Sequence, residues 1–239
     1  MKDEASMVEI LRPDAPGRVL LTAEHASEEL PPGVHWPAAD AWLKGTHWAL
    51  DLGAAELTRE LSEALNAPAV LARFSRLWID ANRPAGSDTL FREQAEGREI
   101  ALNRELDAAE RERRLSACYR PYHAAIDAAL AASPADVVFA IHTFTPVYEG
   151  EARTLGVGVL FEHEQALATR VAEALSPLGV SVALNEPYSG RAGMIYAASY
   201  HAGRHGRRAL ELEVRQDLCV DADFRAKLVD LLDAELFRG

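Results

Sequence analysis

Four hydrophobic runs in this 239-residue chain end on, or carry, side chains that bind metals or move protons. RVLLTA (18–23) runs into Glu24-His25, and LWI (77–79) into Asp80-Ala81-Asn82-Arg83. VVFAI (137–141) closes on His142, and ALELEVR (209–215) holds Glu211, Glu213 and Arg215. One histidine at the end of an apolar run is commonly a satisfied polar residue, but two such histidines point to a shared metal. Neutral imidazole suits Zn²⁺, and a hydrolytic zinc site needs three protein ligands and one open position. Three residues compete for the third place. Glu28 follows His25 in His-Ala-Ser-Glu, within reach if the chain turns back or starts a helix. His47 and Asp51 stand four apart and share a face on a helical turn. Asp51 is equally placed to N-cap the helix that follows it.

In a strand, residues two apart point the same way, so Glu211, Glu213 and Arg215 share one face against Leu212 and Val214. Such a stripe is costly to bury unless it is paired or functional. A structural Glu–Arg pair would account for one of the two carboxylates but less easily for both. A carboxylate beside an activated water is the usual general base of zinc hydrolases, a role open to either glutamate of this stripe. Arg83 and Arg191 present planar guanidinium forks suited to a substrate carboxylate, with Asn82 adjacent. Tyr119, Tyr122, His123 and Tyr188 are polar groups with no assigned role. His35, His163, His201 and His205 lie in polar stretches and read as surface residues.

The elements that must position these groups alternate. Strands are predicted at 18–23, 69–74, 77–80, 137–141, 156–161, 180–184 and 209–215. Helices are predicted at 52–66, 103–132 (kinked or split at Pro121), 164–175 and 222–237. Strands separated by helices imply a three-layer α/β/α sandwich with a mainly parallel or mixed sheet. Ligands in such sheets sit beyond the carboxyl ends of the strands, where these polar residues collect.

Nearly half the residues are hydrophobic, and no linker interrupts the chain, so residues 1–239 read as a single domain. The 25 basic residues against 37 acidic ones leave a net charge of −12 and no basic face, which excludes a nucleic-acid partner. No GxGxxG, GxxxxGK[ST] or GxSxG is present, so neither nucleotide binding nor a serine nucleophile has support. Cys118 and Cys219 form no CxxC motif and read as reduced core thiols. The acidic start MKDEASMVEI lacks a signal-peptide pattern, and no apolar run reaches the ~18 residues of a membrane span. A soluble cytoplasmic protein with no membrane partner is expected; its oligomeric state is left open.

The blocks AEHASEELP, HWALDLGAAEL, RFSRLWIDANRP, PYHAAI, AIHTFTPV, NEPYSGR and LELEVRQDL stand in the order found in the N-formylglutamate amidohydrolase family. The chain resembles that family from about residue 17 to residue 235. The resemblance implies a zinc carboxypeptidase-like fold and a Zn²⁺-dependent amidohydrolase, whose characterised reaction releases formate from N-formyl-L-glutamate in histidine degradation. It implies His25 and His142 as metal ligands and Glu213 as the catalytic glutamate. Asn82, Arg83 and Arg191 become the positions that bind a substrate carboxylate. Many relatives carry HASN or HTGT where this chain has HASE. Glu28 therefore restores a carboxypeptidase-type HxxE, while Asp51 stays open as the third ligand.

Overall fold

The computed structural model describes residues 6–234, which build a seven-stranded sheet between two layers of helices. The strands are β1 (Val8–Leu11), β2 (Val19–Ala23), β3 (Ala69–Ala72), β4 (Val137–Phe144), β5 (Val157–Leu160), β6 (Val182–Leu184) and β7 (Arg208–Arg215). Their order is β1-β3-β2-β4-β7-β5-β6. The central strands β3, β2, β4 and β7 are mutually parallel. β1 and β5 join them antiparallel, and β6 runs parallel to β5. The sheet is mixed around a parallel centre, and that centre carries the polar strand ends.

Alternation along the strands divides the apolar side chains between two cores. Val19, Leu21 and Ala23 of β2, with Val137, Phe139 and Ile141 of β4, pack under α1 (Ala54–Ala64). Leu20, Val138 and Ala140 point the opposite way. They meet Tyr122, Ile126 and Leu130 of α3 (Arg120–Ala132), which α2 (Ala108–Arg114) precedes. The first core is completed by α4 (Gln165–Ala174), and the second by Ala198 and Ala202 of α5 (Tyr196–His205). After β7 come the single turn α6 (Gln216–Cys219) and then α7 (Ala222–Leu232), whose Leu228 and Leu232 close the first core. A buried leucine truncated to alanine in such a core typically costs about 2–5 kcal/mol.

Several elements differ from the sequence expectation for local reasons. Residues 77–80 form a turn rather than a strand, because Ser75 accepts the Trp78 N–H with its carbonyl while its hydroxyl donates to the Ala49 carbonyl. The 103–132 helix is broken into α2, a wide turn at Leu115–Tyr119, and α3 with Pro121 in its first turn. Gly53, not Asp51, caps α1: its φ of 84° is open to glycine, and a Cβ there would lie 2.8 Å from the Cys219 carbonyl oxygen. β1 and α5 were not anticipated. The expected extension of the last helix beyond residue 234 lies outside the described residues. Cys118 and Cys219 are buried and unbridged, and burial pushes both thiols up to about 12. Among the described residues, no helix is long and apolar enough to cross a membrane.

Candidate active site

The carboxyl ends of the parallel strands converge on three donors. His25 follows β2, His142 lies in β4, and Asp51 precedes α1, its backbone N–H bonded to the His25 carbonyl at 2.9 Å. Asp51 Oδ2 lies 2.9 Å from His142 Nδ1 and 3.4 Å from His25 Nδ1. The donor atoms of these three buried residues all lie within 4.8 Å of one another. Each imidazole is held from behind. His25 Nε2 meets Asp80 Oδ1 at 2.7 Å, and His142 Nε2 meets Glu24 Oε2 at 2.7 Å. Glu24 takes a further bond from the Tyr122 hydroxyl at 2.9 Å. A carboxylate behind each ring favours the proton on Nε2 and turns Nδ1 inward, so that Nδ1 would be the atom to ligate a metal, as in metal-ligating histidines. The donor set therefore fits a divalent cation.

The charges fit as well. Burial raises the Glu24 pKa, but the hydrogen bond and charge of His142 outweigh it and hold the carboxyl down at about 2. Burial likewise opposes ionised Asp80, yet His25 and Arg76 keep it well below the usual carboxylate range. Arg76 spans the two aspartates, with Nη1 3.3 Å from Asp51 Oδ1 and Nη2 3.4 Å from Asp80 Oδ2. Burial disfavours a charged His142, but Glu211 and the bonds to Asp51 and Glu24 lift its pKa well above the imidazole range. This negative surplus is what a divalent cation balances.

Above the triad opens a cleft of about 220 Å³ that Glu211, Glu213, Arg83, Arg92, His47 and Tyr188 help to line. Glu213 pairs in register with His142 across β7 and β4, so both side chains stand on the same face. Glu213 Oε2 is buried without a hydrogen-bond partner. Burial, then the neighbouring Glu211 charge, push its pKa well above the carboxylate range. No Glu–Arg pair relieves the stripe, because Arg215 turns to Asp217 at 2.7 Å.

Two of the expected site residues fall outside the cluster. Glu28 is not gathered with the histidines: the chain leaves His25 in a turn and continues without helix or strand, and the Glu28 carboxylate accepts the Gly45 N–H. Arg191 leaves the cleft. It is exposed, its guanidinium packs 5.0 Å from the Phe161 ring, and it donates to Gln165 Oε1 at 3.0 Å. Tyr188 of the same loop faces inward instead. Asn82 does border the cleft, with its amide spent on protein. It donates to the Met194 carbonyl at 3.2 Å and accepts the Ala197 N–H at 2.9 Å. Arg83 lines the cleft, donating to the Asn82 carbonyl at 2.9 Å. His47 lines it too but stands apart from the triad.

Sequence reasoning missed Arg76, although its four-residue spacing to Asp80 was visible. It also gave Glu24 and Asp80 no part behind the histidines, and placed His201 at the surface. His201 is fully buried between Asp127, 2.8 Å from its Nδ1, and His123, 2.7 Å from its Nε2. His123 lies away from the cleft wall.

A three-layer α/β protein that gathers two histidines and a set of buried carboxylates beyond the ends of its parallel strands has the equipment of a hydrolase. The chain belongs to the N-formylglutamate amidohydrolase family, whose profile matches residues 17–220. It is similar to the crystal structure of gene product Atu2144 from Agrobacterium tumefaciens, with 32% identity, a TM-score of 0.86, and 98% of this chain and 95% of that one covered. It is also similar to N-formylglutamate amidohydrolase from Ralstonia eutropha JMP134, with 20% identity, a TM-score of 0.67, and 96% and 95% covered. None of the curated proteins matches the chain.

Proposed function

We propose that the chain is a Zn²⁺-dependent amidohydrolase of carboxylate-bearing N-acyl amino acids, with N-formyl-L-glutamate as substrate and formate and L-glutamate as products. The observation that carries this reading is the convergence of His25 Nδ1, His142 Nδ1 and Asp51 Oδ2, with a carboxylate behind each imidazole. These three residues would hold the ion, which supplies Lewis acidity toward an acyl oxygen and toward water. Glu213 takes a proton from the attacking water as its oxygen bonds to the acyl carbon. The same carboxyl returns the proton to the amide nitrogen as the C–N bond breaks. Its buried, unpartnered oxygen lining the cleft supports that role. Arg83 orients the substrate carboxylate, with Asn82 as the strut that sets the arginine's backbone. The whole chain acts as one amidohydrolase domain, in the cytoplasm and in histidine degradation.

The test is formate release from N-formyl-L-glutamate by zinc-loaded protein, alongside metal content by elemental analysis. We expect near-stoichiometric zinc that is lost in His25→Ala and His142→Ala, with activity lost in step. Zinc-loaded protein that releases neither formate nor amine from a panel of N-acyl amino acids would overturn the reading.

A further inference from the structure

We propose that Arg92 binds a second carboxylate, on the side chain of the N-acyl amino acid, and so makes the cleft selective for acidic over neutral substrates. This deepens the hydrolase reading and rests on it. Arg83 and Arg92 both line the cleft, and neither forms an ion pair with a carboxylate among the described residues. Unpaired guanidinium groups sharing one cleft repel each other. Burial, then the Arg76 charge, lower the Arg92 pKa against the opposing charge of Asp80, with Arg83 adding more weakly. An anion between them relieves that repulsion.

The position of Arg92 is built. Its carbonyl accepts the Asn103 side-chain N–H at 2.7 Å, and Asn103 in turn accepts from Arg114 Nη1 at 2.6 Å. Its guanidinium packs 5.2 Å from the centre of the Trp48 ring. Arg83 follows Asp80 and Asn82, which touch the triad and Glu211, and it borders the cleft. Arg92 borders the cleft and also two further hollows beside it. In an N-acyl amino acid the α-carboxylate is the one nearer the scissile amide, and a side-chain carboxylate lies several bonds farther out. Arg83, linked in sequence to Asp80, matches the first, and Arg92, which reaches the neighbouring hollows, the second.

The experiment compares N-formyl-L-glutamate with N-formyl-L-glutamine as substrates of wild type, R92M, R92K and R83M. A lost charged hydrogen-bond pair predicts that R92M lowers kcat/KM for the glutamate substrate about tenfold to hundredfold, chiefly through KM. The glutamine substrate should stay within about twofold, which also reports that the variant is folded. R92K should retain part of the preference, and R83M should lower both substrates. Equal loss on both substrates in R92M, or no loss on either, overturns the assignment. Calorimetric titration of L-glutamate and L-glutamine into wild type and R92M decides it independently of turnover. If the hydrolase reading fails, weaker glutamate binding in R92M with glutamine unchanged still supports the arginine. Glutamate binding that R92M leaves unchanged, or that wild type lacks, overturns it.

Discussion

Asp80 Oδ1 lies 2.7 Å from His25 Nε2, both side chains being buried. A carboxylate on Nε2 holds the ring so that Nδ1 is turned toward Asp51. Losing such a carboxylate typically costs about tenfold to hundredfold in metal affinity. Asp80→Asn should therefore weaken zinc binding by about that factor in competition with a fluorescent chelator. The fold should persist, because the amide still accepts from Asn82 N–H, now 2.9 Å from Asp80 Oδ1. Unchanged affinity would show that the bond does not orient His25.

Glu213 separates binding from chemistry. It belongs neither to the triad nor to the pair of carboxylates behind the rings, so Glu213→Gln should leave zinc content at the wild-type level. Removing a general base should lower kcat about 10²–10⁴-fold. Elemental analysis and kcat on one preparation check both halves, and turnover near wild type would refute the assignment.

How much of this was visible in the chain depends on what each residue answers to. The placement of His25 and His142 was legible because an apolar run that stops on a polar residue marks a strand end, and strand ends in a parallel sheet line the cleft; that of Glu213 followed from the alternation of 209–215. The fold class followed from the alternation of strands with helices. Antiparallel β1 and β5 were not legible, since strand direction is set by long-range register such as Val8 opposite Ala72. The same limit applies within loops. Tyr188 rather than Arg191 turns inward because Gly190 lies against the Phe161 backbone, where a Cβ would come within 2.5 Å of its carbonyl. Arg92 stands in a charged loop with no periodicity, and only the fold brings it to Arg83. Glu28 satisfied a spacing rule that assumes a helical turn, and the chain makes none there.

Behind the cleft, His123 and His201 form a buried pair with consequences for stability. Burial, then the neighbouring His201, lowers the His123 pKa to about 4. Burial lowers His201 as well, opposed by Asp127, the carboxylate it shares with His205. Arg204 also faces Asp127, and Tyr119, Tyr196 and Tyr200 surround His123. Below pH 6.5 the unfolded chain protonates these histidines, whereas the folded chain holds His123 neutral down to about pH 4 and resists protonation of His201 as well. Stability present above pH 6.5 is therefore lost as pH falls through that window, by up to about 1.4 kcal/mol per pH unit for each histidine held neutral. Urea unfolding from pH 4 to 7 should give that slope, shallower in His123→Phe. Equal slopes in the two proteins would refute the account.

Gly158 couples the sheet to the cleft wall. It stands in β5 directly opposite Glu213 of β7, and a Cβ at its position would lie 1.9 Å from the Glu186 carbonyl oxygen. That oxygen belongs to backbone, so the clash is relieved only by moving the 185–188 segment. The segment is tied down by Asn185, whose N–H bonds to the Val159 carbonyl at 3.0 Å and whose Oδ1 accepts the Phe161 N–H at 3.0 Å. Moving it shifts Tyr188, which lines the cleft and accepts from Arg153 Nη1 at 3.2 Å. Gly158→Ala should therefore destabilise the protein by about 1–3 kcal/mol, the usual cost of overpacking. It should also raise KM, because the Tyr188 wall is displaced while the triad, at the ends of β2 and β4 and before α1, is not, and zinc content should hold. Denaturant melts, kinetics and metal analysis on the one variant distinguish these effects. A variant as stable as wild type would mean that the loop yields freely.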